Sequence, residues 1–221
     1  MPPDESDRAS TQVEPNLSAI TEKTIALIGA LKQRDTNTGE HSDRTHALAL
    51  ELGRAVALSS AELDTLGLAA HLHDVGKIGI PDSVLLKPGR LEPDELQVMR
   101  THAQRGHDIL VAVPDDAIVG IARIVRHHHE AFDGSGYPLG LKGEAIPALS
   151  RIIAIADSYD AMATDRPYHH AKDHSAIMRI LFDEQSHKYD PKLVRTFEAL
   201  IEGSSHKSKG HRSNEPQSLR I

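Results

Sequence analysis

The stretch "AIVGIARIVRHHHE", residues 117–130, decides the class of fold because its apolar residues repeat with the period of a helix. Its apolar face follows the spacing i, i+3, i+4, i+7 and consists of Ile118, Ile121, Ala122 and Val125. The next turn of that face reaches His128 and His129, whereas His127 falls among polar residues. We therefore predict that His128 and His129 point inward and that His127 faces solvent. The alternative is a pair of satisfied core histidines, but burial of two adjacent imidazoles is costly unless a metal or hydrogen bonds compensate.

The same helical period covers almost all of the chain between its two polar ends, and no alternating, β-branched pattern competes with it. The predicted fold class is therefore all-α. The predicted helices span residues 17–34, 39–57, 60–74, 93–111, 115–130, 149–164, 173–184 and 191–201, with Ser60 as a helix cap. Two long loops, 76–92 and 132–147, interrupt them, and loops of this length on a helical scaffold are where function concentrates.

Composition limits the classes of function. The chain of 221 residues suits one domain, predicted over 16–202, between a disordered leader (1–15) and a disordered tail (203–221). The absence of cysteine excludes thiolate metal sites, and the net charge of −7 argues against general nucleic-acid binding. The N-terminus has no apolar segment of a signal peptide, and no apolar run is long enough for a membrane span. We expect a cytoplasmic protein without nucleic-acid or membrane partners.

Histidines and aspartates at inward-facing positions indicate a metal site. In "HLHDVGKIGIPD" (71–82), His73 and Asp74 follow an apolar helix, and Lys77 offers a cation one turn further. An adjacent His and Asp can both reach one ion, and the second oxygen of the Asp can reach another. His41 and Asp157 also lie on largely apolar faces, whereas the face of His102 is only half apolar. A capping or salt-bridging role for Asp157 remains the alternative.

Three segments carry a resemblance to a known family. They are "HDVGKIGIPDSVLLKPGRLEPDE" (73–95), "HHEAFDGSGYP" (128–138) and "RIIAIADSYDAMATDRPY" (151–168). In this order they resemble the HD-GYP phosphodiesterases of the HD-domain phosphohydrolase superfamily. The resemblance implies an HD-domain helical bundle with additional C-terminal helices of the HD-GYP type. It also implies hydrolysis of cyclic di-GMP with two or three metal ions.

The resemblance also implies roles for particular residues. Its metal ligands are His41, His73, Asp74, His102, His128, His129 and Asp157. Asp74 is the expected bridge between two ions and, with Lys77, a catalytic residue. The positions expected to face the substrate phosphates or the attacking water are Lys77, Asp160 and Arg166. Gly136, Tyr137 and Pro138 match the loop that names the family and are expected to bind substrate. Glu130 is expected to orient a histidine ligand.

Two departures from the family pattern affect these expectations. Members with a third metal carry a Glu four residues before the first histidine ligand, where this chain has Asn37. We therefore expect two divalent ions, with iron or manganese first and zinc, nickel, cobalt or magnesium as alternatives. After "RPY" the family often has Lys or Arg, where this chain has His169, which puts one phosphate contact in doubt.

Other functions remain open beside cyclic di-GMP hydrolysis. One is a phosphohydrolase for another cyclic dinucleotide or nucleotide, and another is a non-catalytic interaction module. A homodimer or a signalling-protein partner is also left open.

Overall fold

The computed structural model describes residues 17–34, 36–165 and 170–210. The described chain is helical, with isolated β-bridges but no strand, which confirms the all-α class. Its α-helices are α1 (Leu17–Arg34), α2 (Thr36–Ala55), α3 (Ser60–Leu72), α4 (Asp82–Leu85), α5 (Pro93–Arg100), α6 (His102–Val111), α7 (Asp116–Arg126), α8 (Ala148–Ala163), α9 (His174–Asp183) and α10 (Pro191–Ile201). A short 3-10 helix at Val75–Gly79 overlaps the start of the first predicted loop, and another at Gly143–Ala145 lies within the second. Among the described helices, none is long and apolar enough to cross a membrane.

The core lies where α2 packs on α3 and α8 and where α6 packs on α7. Leu52, Leu66, Ile121 and Ile155 are among its fully buried side chains and come from α2, α3, α7 and α8. Each buried side chain of this size contributes roughly 1.5–3 kcal/mol to folding. This apolar packing positions the polar ends of the same helices.

Helix ends differ from the predicted ends where local hydrogen bonds decide them. The cap of α3 is Ser59 rather than Ser60, because its Oγ accepts from the amide of Glu62 while Glu62 accepts from the amide of Ser59. The second predicted helix begins earlier than expected, at Thr36, and ends at Ala55. Ala57, which was placed in that helix, has φ of 59°.

The predicted helix over 93–111 is two helices, α5 and α6, separated at Thr101. The hydroxyl of Thr101 donates to the carbonyl of Val98 at 2.6 Å, a local bond that competes with the regular helical pattern. The break makes His102 the first residue of α6 instead of an interior one.

The segment 203–210 folds back onto the domain. Ser208 donates through its amide to the hydroxyl of Tyr159 at 3.0 Å and through its own hydroxyl to the carbonyl of Lys172 at 2.7 Å. The prediction of a disordered tail from Gly203 is therefore wrong for these eight residues. The predicted leader (1–15), the remainder of the tail (211–221), Arg166 and His169 lie outside the described residues.

Candidate metal centre

Two groups of three side chains meet at one end of the helical core. His41 of α2, His73 after α3 and Asp157 of α8 form the first group. His102 of α6 and the consecutive His128 and His129 after α7 form the second. Within each group the possible ligand atoms all lie within 4.8 Å of one another, a spacing compatible with a single metal ion. Six of the seven predicted ligands therefore lie close together, although they come from five separate parts of the chain.

Asp74, the seventh predicted ligand, lies between the two groups. Its Oδ2 is 3.4 Å from Nε2 of His73, and its Oδ1 is 3.4 Å from Nε2 of His102. The two oxygens of one buried carboxylate thus face one member of each group. A carboxylate in this position is able to bridge two ions.

Three of the imidazoles are oriented by the backbone behind them. His73, His102 and His128 each donate through Nδ1 to the carbonyl oxygen three residues earlier, at 2.6–2.8 Å. The acceptors are Ala70, Met99 and Val125. A carbonyl can only accept, so the Nδ1 atoms carry the protons and the Nε2 lone pairs face the centre. Nε2 of His73 is buried and has no hydrogen-bond partner among the described residues, as expected of a metal ligand.

His41 is held by two carboxylates. Its Nε2 is 3.0 Å from Oδ1 of Asp157, and its Nδ1 is 2.6 Å from Oδ2 of Asp160. Burial alone would lower the pKa of His41, but the bonds to Asp157 and Asp160 outweigh it and raise the pKa to about 9. Arg44 donates from Nε to the other oxygen of Asp160 at 2.6 Å.

These contacts correct the expected role of Asp160. The sequence assigned it to the substrate phosphates or the attacking water, but its carboxylate is buried behind His41 and is engaged by His41 and Arg44. Sequence reasoning missed Arg44, which lies one helical turn after His41. A search for a basic partner of an acid on an apolar face would have suggested it.

Burial makes the second group of histidines suitable for metal binding. Burial lowers the pKa of His128 to about 3 and also lowers the pKa of His102 and of His129. Neutral imidazole is the form that donates a lone pair to a metal. Burial alone would raise the pKa of Asp74, but nearby Lys77 and His73 outweigh it and hold that pKa well below its usual range. The second group therefore presents neutral nitrogens beside the ionised carboxylate of Asp74 at neutral pH.

Lys77 lies in the 3-10 helix Val75–Gly79 and points toward the centre. Its Nζ donates to Oδ2 of Asp74 at 2.7 Å. The 3-10 helix packs tightly on α6. A Cβ atom at Gly76 would collide with the carbonyl of His102 and the amide of Gly106. Glycine at this position thus allows the approach that brings Lys77 to the carboxylate.

The turn after α7 corrects two expectations. Because α7 ends at Arg126, helical periodicity does not extend to the three histidines, and His127 is buried instead of exposed. Its Nδ1 is 3.4 Å from Oε1 of Glu130, so among the described residues Glu130 contacts His127 and not a histidine of the two candidate groups. Glu130 also accepts from the amides of Leu139 at 2.8 Å and Leu141 at 3.0 Å. Its carboxylate therefore fixes the glycine-rich loop.

The loop residues Gly136, Tyr137 and Pro138 lie beside the second group. Gly136 approaches the backbone of residues 130–131 so closely that a Cβ atom there would collide with it. The ring of Tyr137 lies 4.9 Å from the ring of His129, and the Tyr137–Pro138 peptide is cis. Gly136, Tyr137 and His129 line one cavity of about 610 Å³. The loop thus forms a wall of the space next to the candidate ligands.

Comparison with known proteins agrees with this fold. The sequence model of the HD domain matches residues 26–193, and the chain therefore belongs to the HD-domain family. A solved cyclic GMP-AMP specific phosphodiesterase of Vibrio cholerae shares the fold, with a TM-score of 0.62 at 22% identity over 84% of this chain and 49% of that one.

Two curated relatives are named for different cyclic dinucleotides. The cyclic di-GMP phosphodiesterase response regulator RpfG of Xanthomonas campestris is 42% identical over 80% of this chain and 46% of its own length. The 3'3'-cGAMP-specific phosphodiesterase 2 of Vibrio cholerae is 38% identical over 80% of this chain and 33% of its own length. This chain therefore spans less than half the length of either relative.

Proposed function

We propose that this chain is a metal-dependent phosphodiesterase that hydrolyses cyclic di-GMP to pGpG, to GMP or to both. The observation that supports it best is the pair of three-residue groups with Asp74 between them. This donor set of nitrogen and oxygen atoms without sulfur suits two divalent cations, with iron or manganese as the leading candidates. Zinc, nickel, cobalt and magnesium are the alternatives.

The seven side chains divide naturally between the two ions. His41, His73 and Asp157 would hold one ion, His102, His128 and His129 the other, and Asp74 would contact both. When bound, such a pair of cations lowers the pKa of a water and neutralises charge on a phosphodiester. Asp160 positions His41, because it fixes Nδ1 of that ring and is itself fixed by Arg44.

Lys77 supplies a positive charge at the edge of the centre. The protein has a net charge of −7, so attraction of a dianionic substrate has to be local. With its Nζ 2.7 Å from Asp74, Lys77 lies where it is able to donate to a phosphate oxygen or to the attacking water. Its role is to stabilise negative charge that develops during hydrolysis. Arg166 remains a predicted second cation for the phosphates.

We propose cyclic di-GMP as the substrate because the relative with 42% identity is named for that substrate. A second candidate substrate is 3'3'-cGAMP, because a relative named for that dinucleotide is 38% identical. A non-catalytic module is disfavoured because all seven candidate ligands are present and converge.

The test is elemental analysis of the purified protein, followed by chromatography of its products from cyclic di-GMP. We expect bound transition metal and the appearance of pGpG or GMP. Asp74→Ala should lower the metal content and reduce turnover by more than about 100-fold, because it removes the ligand shared by both groups. The fold of that variant should persist, as measured by circular dichroism, since the apolar core is separate from the centre.

Asp64→Ala is the matched control, because Asp64 is an exposed acid on α3, the helix that precedes Asp74. It should leave both metal content and turnover unchanged. Full activity of Asp74→Ala would disprove the proposed centre, and failure of the metal-loaded protein to cleave cyclic di-GMP would disprove the proposed substrate.

A further inference from the structure

A cavity of about 610 Å³ opens directly beside the second group of histidines. Three segments wall it: the end of α5 with Arg100, the glycine-rich loop with Tyr137, and the turn between α9 and α10 with Glu184 and Lys188. His129 lines its inner side, so the cavity adjoins the candidate ligands. Its volume is within the range of about 300–1,000 Å³ that small-molecule sites occupy. A nucleotide with its phosphodiester at the metal centre would place its nucleoside next to this cavity.

The walls of the cavity are tied to one another by backbone hydrogen bonds. The amide of Phe132 donates to the carbonyl of Lys188 at 3.2 Å, and the amide of Asp133 donates to the carbonyl of His187 at 2.8 Å. The amide of Lys188 in turn donates to the carbonyl of Glu184 at 2.8 Å. The glycine-rich loop and the α9–α10 turn are thus one connected unit.

The polar groups of this cavity suit a guanine base. The guanidinium of Arg100 lies over the ring of Tyr137, with 5.3 Å between its carbon and the ring centre. The exposed carboxylate of Glu184 makes no hydrogen bond or ion pair with the described part of the chain. Guanine presents acceptors at O6 and N7, which Arg pairs well, and donors at N1 and N2, which suit an ionised carboxylate. Adenine has a lone pair at N1, which a carboxylate repels.

We propose that Glu184 and Arg100 are specificity-determining residues that select a guanine base in this cavity. The proposal rests on the proposed phosphodiesterase function and extends it to the base of the substrate. Glu184 accepts from N1 and N2 of the base, and Arg100 donates to its O6 and N7 edge. Both residues would contact the substrate, and neither belongs to the groups that would hold metal.

Glu184 is the better residue for the test because Arg100, like Tyr137, also lines a second cavity of about 510 Å³. A substitution of Arg100 therefore cannot show which of the two cavities holds the base. Glu184 lines the cavity beside His129 and not the second cavity. Glu184→Gln keeps the size of the side chain and removes its charge. Asp183→Asn is the matched control, since Asp183 is the neighbouring exposed acid and lines neither cavity.

The experiment compares kcat/KM for cyclic di-GMP, 3'3'-cGAMP, cyclic di-AMP and the base-free ester bis(p-nitrophenyl) phosphate. Glu184→Gln should reduce kcat/KM for cyclic di-GMP by about tenfold or more, the effect of losing a charged hydrogen-bond partner. Its hydrolysis of cyclic di-AMP and of the base-free ester should stay unchanged, and Asp183→Asn should match the wild type throughout. Titration calorimetry with GMP and AMP gives a readout independent of turnover: Glu184→Gln should weaken binding of GMP only.

The outcomes separate this inference from the proposed function. If the wild type cleaves cyclic di-GMP and Glu184→Gln does so equally well, guanine selection by Glu184 is wrong and the phosphodiesterase function stands. Equal losses on the base-free ester would also overturn the inference, because they indicate damage to the metal centre. A wild type that prefers cyclic di-AMP would overturn both guanine selection and the proposed substrate.

Discussion

At the scale of single residues, backbone carbonyls orient three histidines of the candidate centre. The Nδ1–H groups of His73, His102 and His128 each donate to a carbonyl three residues earlier. Such bonds fix both the tautomer and the ring orientation of a ligand, so less ordering remains to be done when a metal enters. The residue types in the sequence predict the ligands, but the tautomers follow from backbone carbonyls that only the folded helix ends bring into position.

Lys77 offers a test that separates charge stabilisation from metal binding. Lys77→Ala should leave the metal content nearly intact, since an ammonium group is not a metal ligand. Turnover of cyclic di-GMP should fall on the order of 100-fold, because the variant lacks a cation near the reacting phosphate. Elemental analysis and steady-state kinetics on the same preparation measure the two effects.

Lys87→Ala is the matched control for Lys77→Ala. Lys87 lies in the same predicted loop and also pairs with a carboxylate, that of Glu95 at 2.5 Å. The control should retain both metal and turnover. Parallel loss of metal and activity in Lys77→Ala would mean that Lys77 holds the centre together instead of acting on the substrate.

At the scale of elements, the three consecutive histidines show how a helix end divides similar residues among different roles. α7 ends at Arg126, and the following turn places His128 and His129 in the centre and His127 beside Glu130. His128 and His129 lie in the second group as predicted, although the helix whose period suggested it ends before them. The prediction that His127 faces solvent was wrong because α7 ends before that residue. The following turn places the His127 side chain against Glu130, which holds the glycine-rich loop.

His127→Ala should therefore affect stability and leave the metal content intact. Loss of a buried partner of Glu130 should lower the free energy of unfolding by about 1–3 kcal/mol, measured by urea denaturation. His128→Ala and His129→Ala should instead lose metal and turnover together. Equal metal loss in all three variants would show that His127 contributes to the centre, contrary to the contacts described above.

At the scale of the whole molecule, apolar periodicity predicted most of the fold because burial of one helix face is encoded locally. The spans 17–34 and 191–201 agree with α1 and α10 to the residue. The predictions that were wrong concern places where non-local or capping hydrogen bonds determine the path of the backbone. These places are the break at Thr101, the end of α7, and the return of Ser208 to Tyr159. Asp160 was misassigned for the same reason, since its partners His41 and Arg44 lie more than 100 residues earlier in the chain.

The number of ions per chain follows from the charge that the molecule gathers at its centre. The candidate ligands include two carboxylates, Asp74 and Asp157, beside five imidazoles, which add no negative charge. A third divalent cation would need further negative charge to offset repulsion by the other two. The position one helical turn before His41 is Asn37, within α2, and its neutral amide adds none.

We therefore predict two tightly bound metals per chain and faster cleavage of cyclic di-GMP to pGpG than of pGpG to GMP. A third ion would help to hold the linear product for the second cut, so its absence should slow that step. Asn37→Glu should raise the metal count and speed the second cut, whereas Asn37→Gln, which adds length without charge, should change neither. Elemental analysis of the wild type that finds three ions per chain would contradict this prediction, because it would mean that a carboxylate before His41 is not required.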